Sequence, residues 1–331
     1  MYKVTFLVTN GCNFKCKHCF VRAGELSENE MSYEEKLLAI DKLKDLGVKK
    51  ITFSGGEPLL DPSIFDYITR VKKLGLEVGF LTNAWLLNDI KINFLMKNVN
   101  SLSISLYTND ILGLPQKLYD KYFNNVIDVF KKMTDAGFEF KITFPISSKN
   151  QEMLEVLIKL LYDNQIKPKM VRIYMITPVG RGNDNRYLCS ENLNCERLIA
   201  KLPAYLKKSY LNISVEYSSI DNRYKSDKRF FTSCPMGKYS KEDYINKLAD
   251  PHMDSNGDLY LCGLVLKNKS FCIGNILEDT KEKIVSMIDD LAKKISKQKW
   301  KDCCPILNRN VEENRCLVCP IVYIKEGGLK L

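Results

Sequence analysis

The sequence predicts an α/β fold: a partial (β/α)6 barrel of the TIM type, open on one side, followed by a small C-terminal α+β domain. Strand-like and helix-like segments alternate six times with short turns, which is typical of a parallel sheet with helical crossovers. Six units are too few to close an eight-stranded barrel. The alternation stops after Arg181, and a chain of 331 residues is long enough to fold a second, smaller unit.

The six units are identified from hydrophobic periodicity and from helix-end signals. Ser32 and Glu35 have the capping-box spacing that begins the first helix, and Gly47 follows its end. Gly75 and Gly137 close two later helices in the same way. The predicted strands span residues 4–9, 50–53, 76–82, 101–106, 138–146 and 170–176, and the predicted helices span residues 32–47, 62–75, 87–97, 120–136 and 151–162.

The remainder of the chain has a different pattern. Residues 183–230 are irregular and charged, and we expect them to form a linker that packs on the barrel. Asn256 and Gly257 lie between two short alternating runs, which is a strong hairpin signal. Further predicted elements are a helix near 195–208, a strand near 211–217 and a helix near 279–299. The predicted domains are a barrel core over 1–182, a linker over 183–230 and a C-terminal domain over 231–331.

Composition narrows the class of protein. Hydrophobic residues make up 45% of the chain and charged residues 27%, and no stretch is apolar for long enough to span a membrane. The N-terminus has the pattern of a strand and lacks the features of an export signal, so we predict a cytoplasmic location and no membrane partner. The formal charge of +10 is spread as Lys along the helices. It indicates a solvated surface or an acidic partner, and no nucleic-acid-reading motif accompanies it.

Three of the 12 cysteines, Cys12, Cys16 and Cys19, lie close together after the first predicted strand as C-x3-C-x2-C. Three thiolates on one loop can hold three irons of a [4Fe-4S] cluster and leave the fourth iron open. The alternatives are a zinc loop, for which His18 is the only local fourth ligand, or three unrelated thiols. Twelve cysteines in a cytosolic chain of this size favour metal or redox chemistry over disulfides.

A second motif, Ser54-Gly55-Gly56-Glu57-Pro58, follows the second strand. Together with the cysteine loop it resembles the radical S-adenosylmethionine (SAM) superfamily, over about residues 1–182. The resemblance implies that the open iron binds the amino and carboxylate groups of SAM, and that reduction yields a 5'-deoxyadenosyl radical that abstracts hydrogen from a substrate. It also implies that Gly55, Gly56 and Glu57 contact the amino group of SAM, since glycine permits close approach of the backbone and a carboxylate accepts from an ammonium.

The resemblance extends to single residues at other strand ends. Asn83 and Ser105 hold positions that contact the ribose, carboxylate or methionyl part of SAM, and Arg181 is placed to face a carboxylate. Phe14 and His18 lie on the cysteine loop within the predicted cofactor site, where His18 replaces a more usual Tyr or Phe and is expected to pack against adenine. The structural alternatives are a helix cap for Asn83, a buried strand serine for Ser105 and a solvated guanidinium for Arg181.

The C-terminal cysteines form a separate set. Gly257-x4-Cys262, preceded by Cys234 and followed by Cys316-x2-Cys319, resembles the shortened twitch form of the SPASM extension. This implies one auxiliary [4Fe-4S] cluster held by those four cysteines, with zinc as the alternative. The remaining thiols are replacement ligands, hydrogen-atom donors to a substrate radical, or inert buried cysteines. They are Cys189, Cys195, Cys272, Cys303 and Cys304.

The resemblance therefore implies a radical SAM enzyme, and among the activities of similar enzymes we expect modification of a ribosomally synthesised peptide, by epimerisation or crosslink formation, with electrons from a flavodoxin or ferredoxin. Residues 1–9 enter the barrel directly, so we expect a peptide leader to dock on the barrel, on the C-terminal domain or on a separate protein. One alternative is a dehydrogenase of a small metabolite such as an aminoglycoside precursor. A non-enzymatic alternative is an iron-sulfur electron carrier or a zinc-stabilised binding module.

Overall fold

In the computed structural model, the centre of the protein is a sheet built on six parallel strands, each paired with the next one in sequence. They confirm the six predicted strands, with ends that differ by at most two residues. The strands are Lys3–Leu7 (β1), Lys50–Ser54 (β2), Glu77–Thr82 (β3), Ser101–Ser105 (β4), Phe140–Ile146 (β5) and Met170–Met175 (β6). The structure describes residues 3–27, 29–147, 149–150, 152–176, 179–188, 213–216, 230–231, 251–260, 263, 266, 269 and 272–296.

Helices connect these strands as the periodicity predicts. Ser32 and Glu35 form the expected capping box on the first helix. The fifth helix begins four residues before its predicted start, because Pro115 occupies its N-cap and proline is compatible with a helix start. No helix in the described ranges has the length and apolar character needed to cross a membrane. The helices are Tyr33–Asp45 (α1), Ile64–Lys73 (α2), Asp89–Asn98 (α3), Asn109–Leu112 (α4), Gln116–Asp135 (α5), Met153–Asp163 (α6) and Arg181–Asp184 (α7).

The sheet extends beyond the six predicted strands at both edges. Past β6 it gains two parallel strands from the predicted linker, Ile213–Glu216 (β7) and Phe230–Phe231 (β8). Next to β1 it gains His252–Met253 (β9), and then Asp258–Tyr260 (β10) and Cys272–Asn275 (β11) in antiparallel order. A final described helix is Lys281–Ser296 (α8).

At one edge of the barrel sheet the added strands begin in the predicted linker, and at the other edge they come from the predicted C-terminal domain. An open barrel leaves the N–H and C=O groups of its two edge strands unpaired, and added strands satisfy them. At one edge, the Thr5 N–H donates to the Pro251 carbonyl at 2.9 Å. The predicted hairpin at Asn256 and Gly257 is confirmed, and it is part of this sheet. The domain boundaries themselves stay a prediction.

The two faces of the central sheet differ in chemistry. Along β1 and β2 the residues Val4, Phe6, Ile51 and Phe53 are fully buried and belong to one apolar core with the helices. Most alternate residues on the other face are polar and only partly buried, namely Lys3, Thr5, Lys50, Thr52 and Ser54. In an open (β/α) barrel the helices cover the outer face, so the polar face is the inner one.

Candidate active site

The cysteine loop begins directly after β1 and is closed at its base by backbone pairing. The Cys12 N–H donates to the Gly24 carbonyl at 3.0 Å, and the Gly24 N–H donates to the Asn10 carbonyl at 2.9 Å. The Asn10 N–H donates to Oε1 of Glu30 at 2.7 Å. These bonds fix the ends of the loop, so its three thiols have a defined place at the carboxyl end of the first strand.

The three thiols lie on the inner part of this loop. Cys16 is buried, whereas Cys12 and Cys19 are partly exposed, and none forms a disulfide. Backbone N–H groups already point at two of the sulfurs: the Phe14 N–H lies 3.4 Å from Cys12 Sγ, and the Ala23 N–H lies 3.4 Å from Cys19 Sγ. Such donors stabilise a thiolate and a metal-bound thiolate alike.

The surroundings of Cys12 and Cys16 raise the pKa values of their thiols in the absence of a metal. Burial raises the pKa of Cys12 to about 11, and the charge of Glu57 adds to this effect. Burial and the neighbouring charges of Cys12 and Cys19 raise the pKa of Cys16 well above the usual thiol range, while the guanidinium of Arg181 opposes the shift. Without a metal the thiols of Cys12 and Cys16 are therefore protonated near pH 7, and binding of cationic iron would make them thiolates.

The donor set fits an iron-sulfur cluster. Within the described ranges, no group of three or more His, Cys, Asp or Glu side chains is arranged to hold a single metal ion. A [4Fe-4S] cluster binds each thiolate at a different iron, so three separate thiols suit it, and ligation by Cys12, Cys16 and Cys19 stays a prediction. Two buried polar atoms on the same loop, Asn13 Nδ2 and His18 Nδ1, have no hydrogen-bond partner among the described residues. They are available to a ligand beside the cluster.

Arg181 holds the cysteine loop in place from the opposite edge of the six-stranded core. Its Nε donates to the Cys16 carbonyl at 2.8 Å, and its Nη1 donates to the Ala23 carbonyl at 2.7 Å. Its backbone N–H donates to the Cys19 carbonyl at 2.9 Å. The side chain is therefore used to fix the loop backbone, and the predicted contact with a carboxylate stays a prediction.

The residues around Arg181 reinforce this contact. Gly180 has φ +59°, and a Cβ there would lie 2.3 Å from the Phe20 carbonyl oxygen, so only glycine permits the approach. Asp184 accepts two hydrogen bonds from the Arg22 guanidinium, at 2.6 and 2.7 Å. The turn after β6 and the loop after β1 thus form one packed unit, which the sequence did not reveal.

The Gly55-Gly56 turn packs directly on the start of the cysteine loop. The Gly56 N–H donates to the Thr9 carbonyl at 2.8 Å, and the Glu57 N–H donates to the Gly11 carbonyl at 2.9 Å. A Cβ on Gly55 would lie 2.5 Å from the Thr9 carbonyl oxygen, and one on Gly56 would lie 2.0 Å from the Gly11 carbonyl oxygen. The structure therefore requires these glycines for contact between two loops of the chain itself.

The Glu57 carboxylate is buried among other residues of the chain, which differs from the expectation that it accepts a hydrogen bond from the amino group of SAM. It is fully buried. Oε1 accepts from Thr82 Oγ1 at 2.7 Å and from the Leu59 N–H at 3.2 Å, and Oε2 accepts from the Asn83 N–H at 2.8 Å. Burial raises the pKa of Glu57 to about 7 despite these donors. The side chain thus ties the end of β2 to the end of β3, and the turn backbone is left as the predicted contact for SAM.

Asn83 connects the end of β3 to the cysteine loop. Its Nδ2 donates to Oδ1 of Asn13 at 2.9 Å, and its Oδ1 accepts from the Trp85 N–H at 3.0 Å. The second of these is a local Asx turn and not the helix cap that was the structural alternative for Asn83, because Asn88 caps α3. The first orients Asn13, whose own Nδ2 is the buried donor without a partner among the described residues. Asn13 is a site residue that the sequence reasoning missed.

Two of the predicted cofactor residues on the cysteine loop are held by aromatic neighbours. Phe14 is buried, with its ring edge-on to Tyr122 at a centroid distance of 5.2 Å, so it anchors the loop in the core. His18 lies beside Tyr107 and Tyr174, and its Nε2 is 3.0 Å from the Tyr174 hydroxyl. Burial and the nearby charge of Arg181 lower the pKa of His18 to about 4, so the imidazole is neutral near pH 7.

Ser105 ends β4 on the same inner side. Its carbonyl accepts from the Tyr122 hydroxyl at 3.1 Å. Burial raises the pKa of Tyr107 well above its usual value, while a hydrogen bond with Ser105 opposes the shift. Tyr107 and Tyr174 were not predicted as site residues, although both follow a strand-end pattern of alternating polar residues. The structure brings both next to His18.

The predicted auxiliary cluster concerns cysteines in the C-terminal part of the chain. Cys234, Cys262, Cys316 and Cys319 lie outside the described residues, as do Cys189, Cys195, Cys303 and Cys304. Cys272 is described, on β11, where its Sγ donates to the Gly274 carbonyl at 3.4 Å. Its contacts place it in the hairpin region and not on the cysteine loop.

Comparison with known proteins decides the family of the barrel. Residues 6–161 match the profile of the radical SAM superfamily. This chain carries a radical SAM domain. The match begins in β1 and ends in α6, so it covers the cysteine loop and the Gly55-Gly56 turn that this geometry brings together. Membership implies SAM and a [4Fe-4S] cluster as cofactors of the domain.

Curated proteins with sequences similar to this domain are named for activities on nucleotides. An S-adenosylmethionine-dependent nucleotide dehydratase from Flammeovirga pacifica is 28% identical over 202 residues, covering 55% of this chain and 65% of that protein. A probable GTP 3',8-cyclase from Saccharolobus islandicus (strain M.14.25 / Kamchatka #1) is 25% identical over 182 residues, covering 53% of this chain and 57% of that protein. The matched part is thus under two thirds of each relative.

Solved structures show a shared fold over more of the chain. Streptococcus suis SuiB bound to S-adenosylmethionine has a TM-score of 0.68 and 18% identity, covering 99% of this chain and 72% of that chain. SuiB bound to precursor peptide SuiA has a TM-score of 0.67. Histidine-tagged anSMEcpe with bound AdoMet has a TM-score of 0.60 and 18% identity, covering 98% of this chain and 91% of that chain. At these identities the likeness is one of fold.

Proposed function

We propose that this protein is a radical SAM enzyme that modifies a peptide. Cys12, Cys16 and Cys19 would hold a [4Fe-4S] cluster, which would supply one electron for the cleavage of SAM to methionine and a 5'-deoxyadenosyl radical, the species that would take a hydrogen atom from the substrate. The observation that carries the proposal is the loop itself. Its three thiols lie at the carboxyl end of β1, inside a radical SAM domain, and the loop is contacted by residues that follow three further strands, β2, β3 and β6.

The residues of the chain divide this work between them. Cys12, Cys16 and Cys19 would bind the cluster through three thiolates, and its remaining iron would be available to SAM. The backbone of the Gly55-Gly56 turn lies against the same loop, and Asn13 Nδ2 offers a buried donor to a bound ligand. Ser105 and the neutral imidazole of His18 line the inner side of the site.

A peptide substrate is favoured by the fold as a whole. The likeness to SuiB, which has been solved with its precursor peptide, extends over 99% of this chain, whereas the nucleotide-acting relatives match little more than half of it. We propose epimerisation or crosslink formation as the modification. An auxiliary [4Fe-4S] cluster on Cys234, Cys262, Cys316 and Cys319 belongs to this proposal, as does a flavodoxin or ferredoxin as electron donor.

A small-molecule substrate is the second candidate. The named activities of both sequence relatives favour a nucleotide over an aminoglycoside precursor within this class. The two candidates share the radical-generating half of the site and differ only in what occupies the inner face of the barrel.

Anaerobic reconstitution tests the radical chemistry. With SAM and dithionite, the wild-type protein should form 5'-deoxyadenosine, and the Cys12→Ala/Cys16→Ala/Cys19→Ala variant should form none. Iron should fall from about eight to about four per chain in that variant, if each cluster holds four. Cys272→Ala is the matched control and should keep the product. Product formation by the triple variant would overturn the role of the cysteine loop as the radical-generating site. Absence of product from the wild type would overturn the proposal in favour of a carrier or zinc module.

Substrate class is tested separately. The reduced protein is incubated with SAM and the product of a short open reading frame beside its gene, and in parallel with GTP and CTP. With the reaction run in deuterated water, a loss of hydrogen from the peptide supports crosslink formation and a gain of deuterium supports epimerisation. Consumption of a nucleotide with an unchanged peptide supports the second candidate.

A further inference from the structure

The inner face of the sheet carries a group of cations near the amino ends of its strands. Lys3 begins β1 and Lys50 begins β2, and the two are direct neighbours in the strand register. Lys141 is the second residue of β5 and Arg172 the third of β6. All four alternate with fully buried apolar residues, so they share the partly buried polar face.

These cations converge from two walls of the barrel. Lys50 on β2 and Lys141 on β5 are three strands apart, about 14 Å in a flat sheet. Nevertheless, the pKa of Lys141 is lowered, first by its burial and then by the positive charges of other side chains. These side chains are Lys50, Arg172, Lys169 and Lys3. The curvature of the sheet brings the side chains close enough for that coupling.

Lys141 is the member of this group whose charge is not balanced by a nearby acid. Lys50 lies 3.8 Å from Glu77, and Lys169 forms an ion pair with Glu139. Lys141 has no ion pair within the described part of the chain. A partly buried ammonium without a counter-ion is unfavourable, and binding an anion relieves that cost.

A continuous path joins the cations to the radical site. Arg172 and Tyr174 are two residues apart on the same face of β6, which is about 7 Å along the strand. The Tyr174 hydroxyl lies 3.0 Å from Nε2 of His18, on the cysteine loop. The cation group therefore lies on the same inner face as the cysteine loop, at a distance that a few residues of an extended peptide can span.

We propose that Lys3, Lys50, Lys141 and Arg172 form the subsite that binds acidic side chains of the peptide substrate. An extended peptide advances about 3.3 Å per residue, so an acidic residue about three positions from the reacting one reaches these cations. This inference rests on the proposed peptide-modifying function. According to this inference, the substrate contains an acidic segment, and that segment binds at the inner face of the barrel.

Fluorescence anisotropy tests the subsite with a labelled hexaglutamate peptide as probe and the full-length reconstituted protein. The variant is Lys50→Gln/Lys141→Gln, and the matched control is Lys117→Gln/Lys131→Gln, which removes the same charge from exposed positions of α5. Hexaglutamate should bind the wild type and the control alike and bind the inner-face variant about tenfold more weakly. Hexaglutamine should not bind.

Three outcomes overturn the proposal. Equal loss in the two variants shows binding to net charge only. Equal binding of hexaglutamine shows that carboxylates are not recognised. Displacement of hexaglutamate by GTP, with GTP binding that also depends on Lys141, assigns the subsite to phosphates. Formation of 5'-deoxyadenosine by the wild type without peptide is measured in parallel, so failure of the radical chemistry is seen separately from failure of the subsite.

Discussion

Replacing Arg181 by glutamine should loosen the cysteine loop without removing a thiol. The change deletes the Nε and Nη1 donors that hold the Cys16 and Ala23 carbonyls at 2.8 and 2.7 Å. Hydrogen bonds to a charged group are worth about 1.5–3 kcal/mol each, so two at the lower limit come to about 3 kcal/mol. That energy corresponds to about a hundredfold shift toward open forms of the loop.

Iron loss to a chelator measures this effect. The reconstituted Arg181→Gln protein should lose its loop cluster to EDTA much faster than the wild type and should form less 5'-deoxyadenosine per chain. Arg181→Lys should fall between the two, because a single ammonium keeps the charge but cannot replace the two-pronged contact. Arg70→Gln is the control, since Arg70 donates two comparable bonds to Asp41 on a remote helix.

A wild-type rate of iron loss in Arg181→Gln, with full product formation, would refute this account of the loop. A similar loss in Arg70→Gln would instead indicate that the effect comes from lower global stability and not from the contact with the loop.

The remaining predictions concern the turn after β2, a buried acid and a buried ion pair. Gly56→Ala should abolish 5'-deoxyadenosine formation because its Cβ would lie 2.0 Å from a loop carbonyl, whereas Gly24→Ala, whose nearest neighbour is 4.0 Å away, should retain it. Since burial raises the pKa of Glu57 to about 7, its protonated form is favoured on folding. The unfolding free energy of the wild type, from urea denaturation, should therefore fall relative to Glu57→Gln by about 3 kcal/mol between pH 4 and pH 8, and a constant difference would contradict this. Lys36→Met leaves Asp61, 6% exposed, without its partner at 2.7 Å and should lower the unfolding free energy by about 3–5 kcal/mol, part of which Asp61→Asn should restore.

The barrel was predictable because its signals are local. Hydrophobic alternation, a capping box at Ser32 and glycines after helices all act within a few residues of one another. A strand near 211–217 and the hairpin at Asn256 and Gly257 were predicted, but their pairing with the edges of the barrel sheet was not, since β1 and its partner near His252 are distant in sequence and carry no shared pattern. Pairing of that kind is set by which edges the folded sheet leaves open.

The site was predictable in its residue types and less so in their roles. The spacing of Cys12, Cys16 and Cys19 predicts a cluster loop, and the radical SAM match supports it. Arg181 and Glu57 were expected to contact ligands, yet their partners in the structure are largely backbone groups. A sequence pattern shows which side chains are present. It does not show that a side chain will bind the backbone carbonyls of a loop more than 150 residues away, as Arg181 does.

The contact between the Gly55-Gly56 turn and the Thr9–Gly11 backbone has a consequence for protein engineering. The two segments touch main chain to main chain, with no space for even a methyl group between them. A chimaera that takes its first strand and cysteine loop from one parent and its second strand from another must reproduce this spacing to a fraction of an ångström. Recombination points between the two motifs should therefore yield inactive proteins far more often than points after Pro58, where both segments are inherited together.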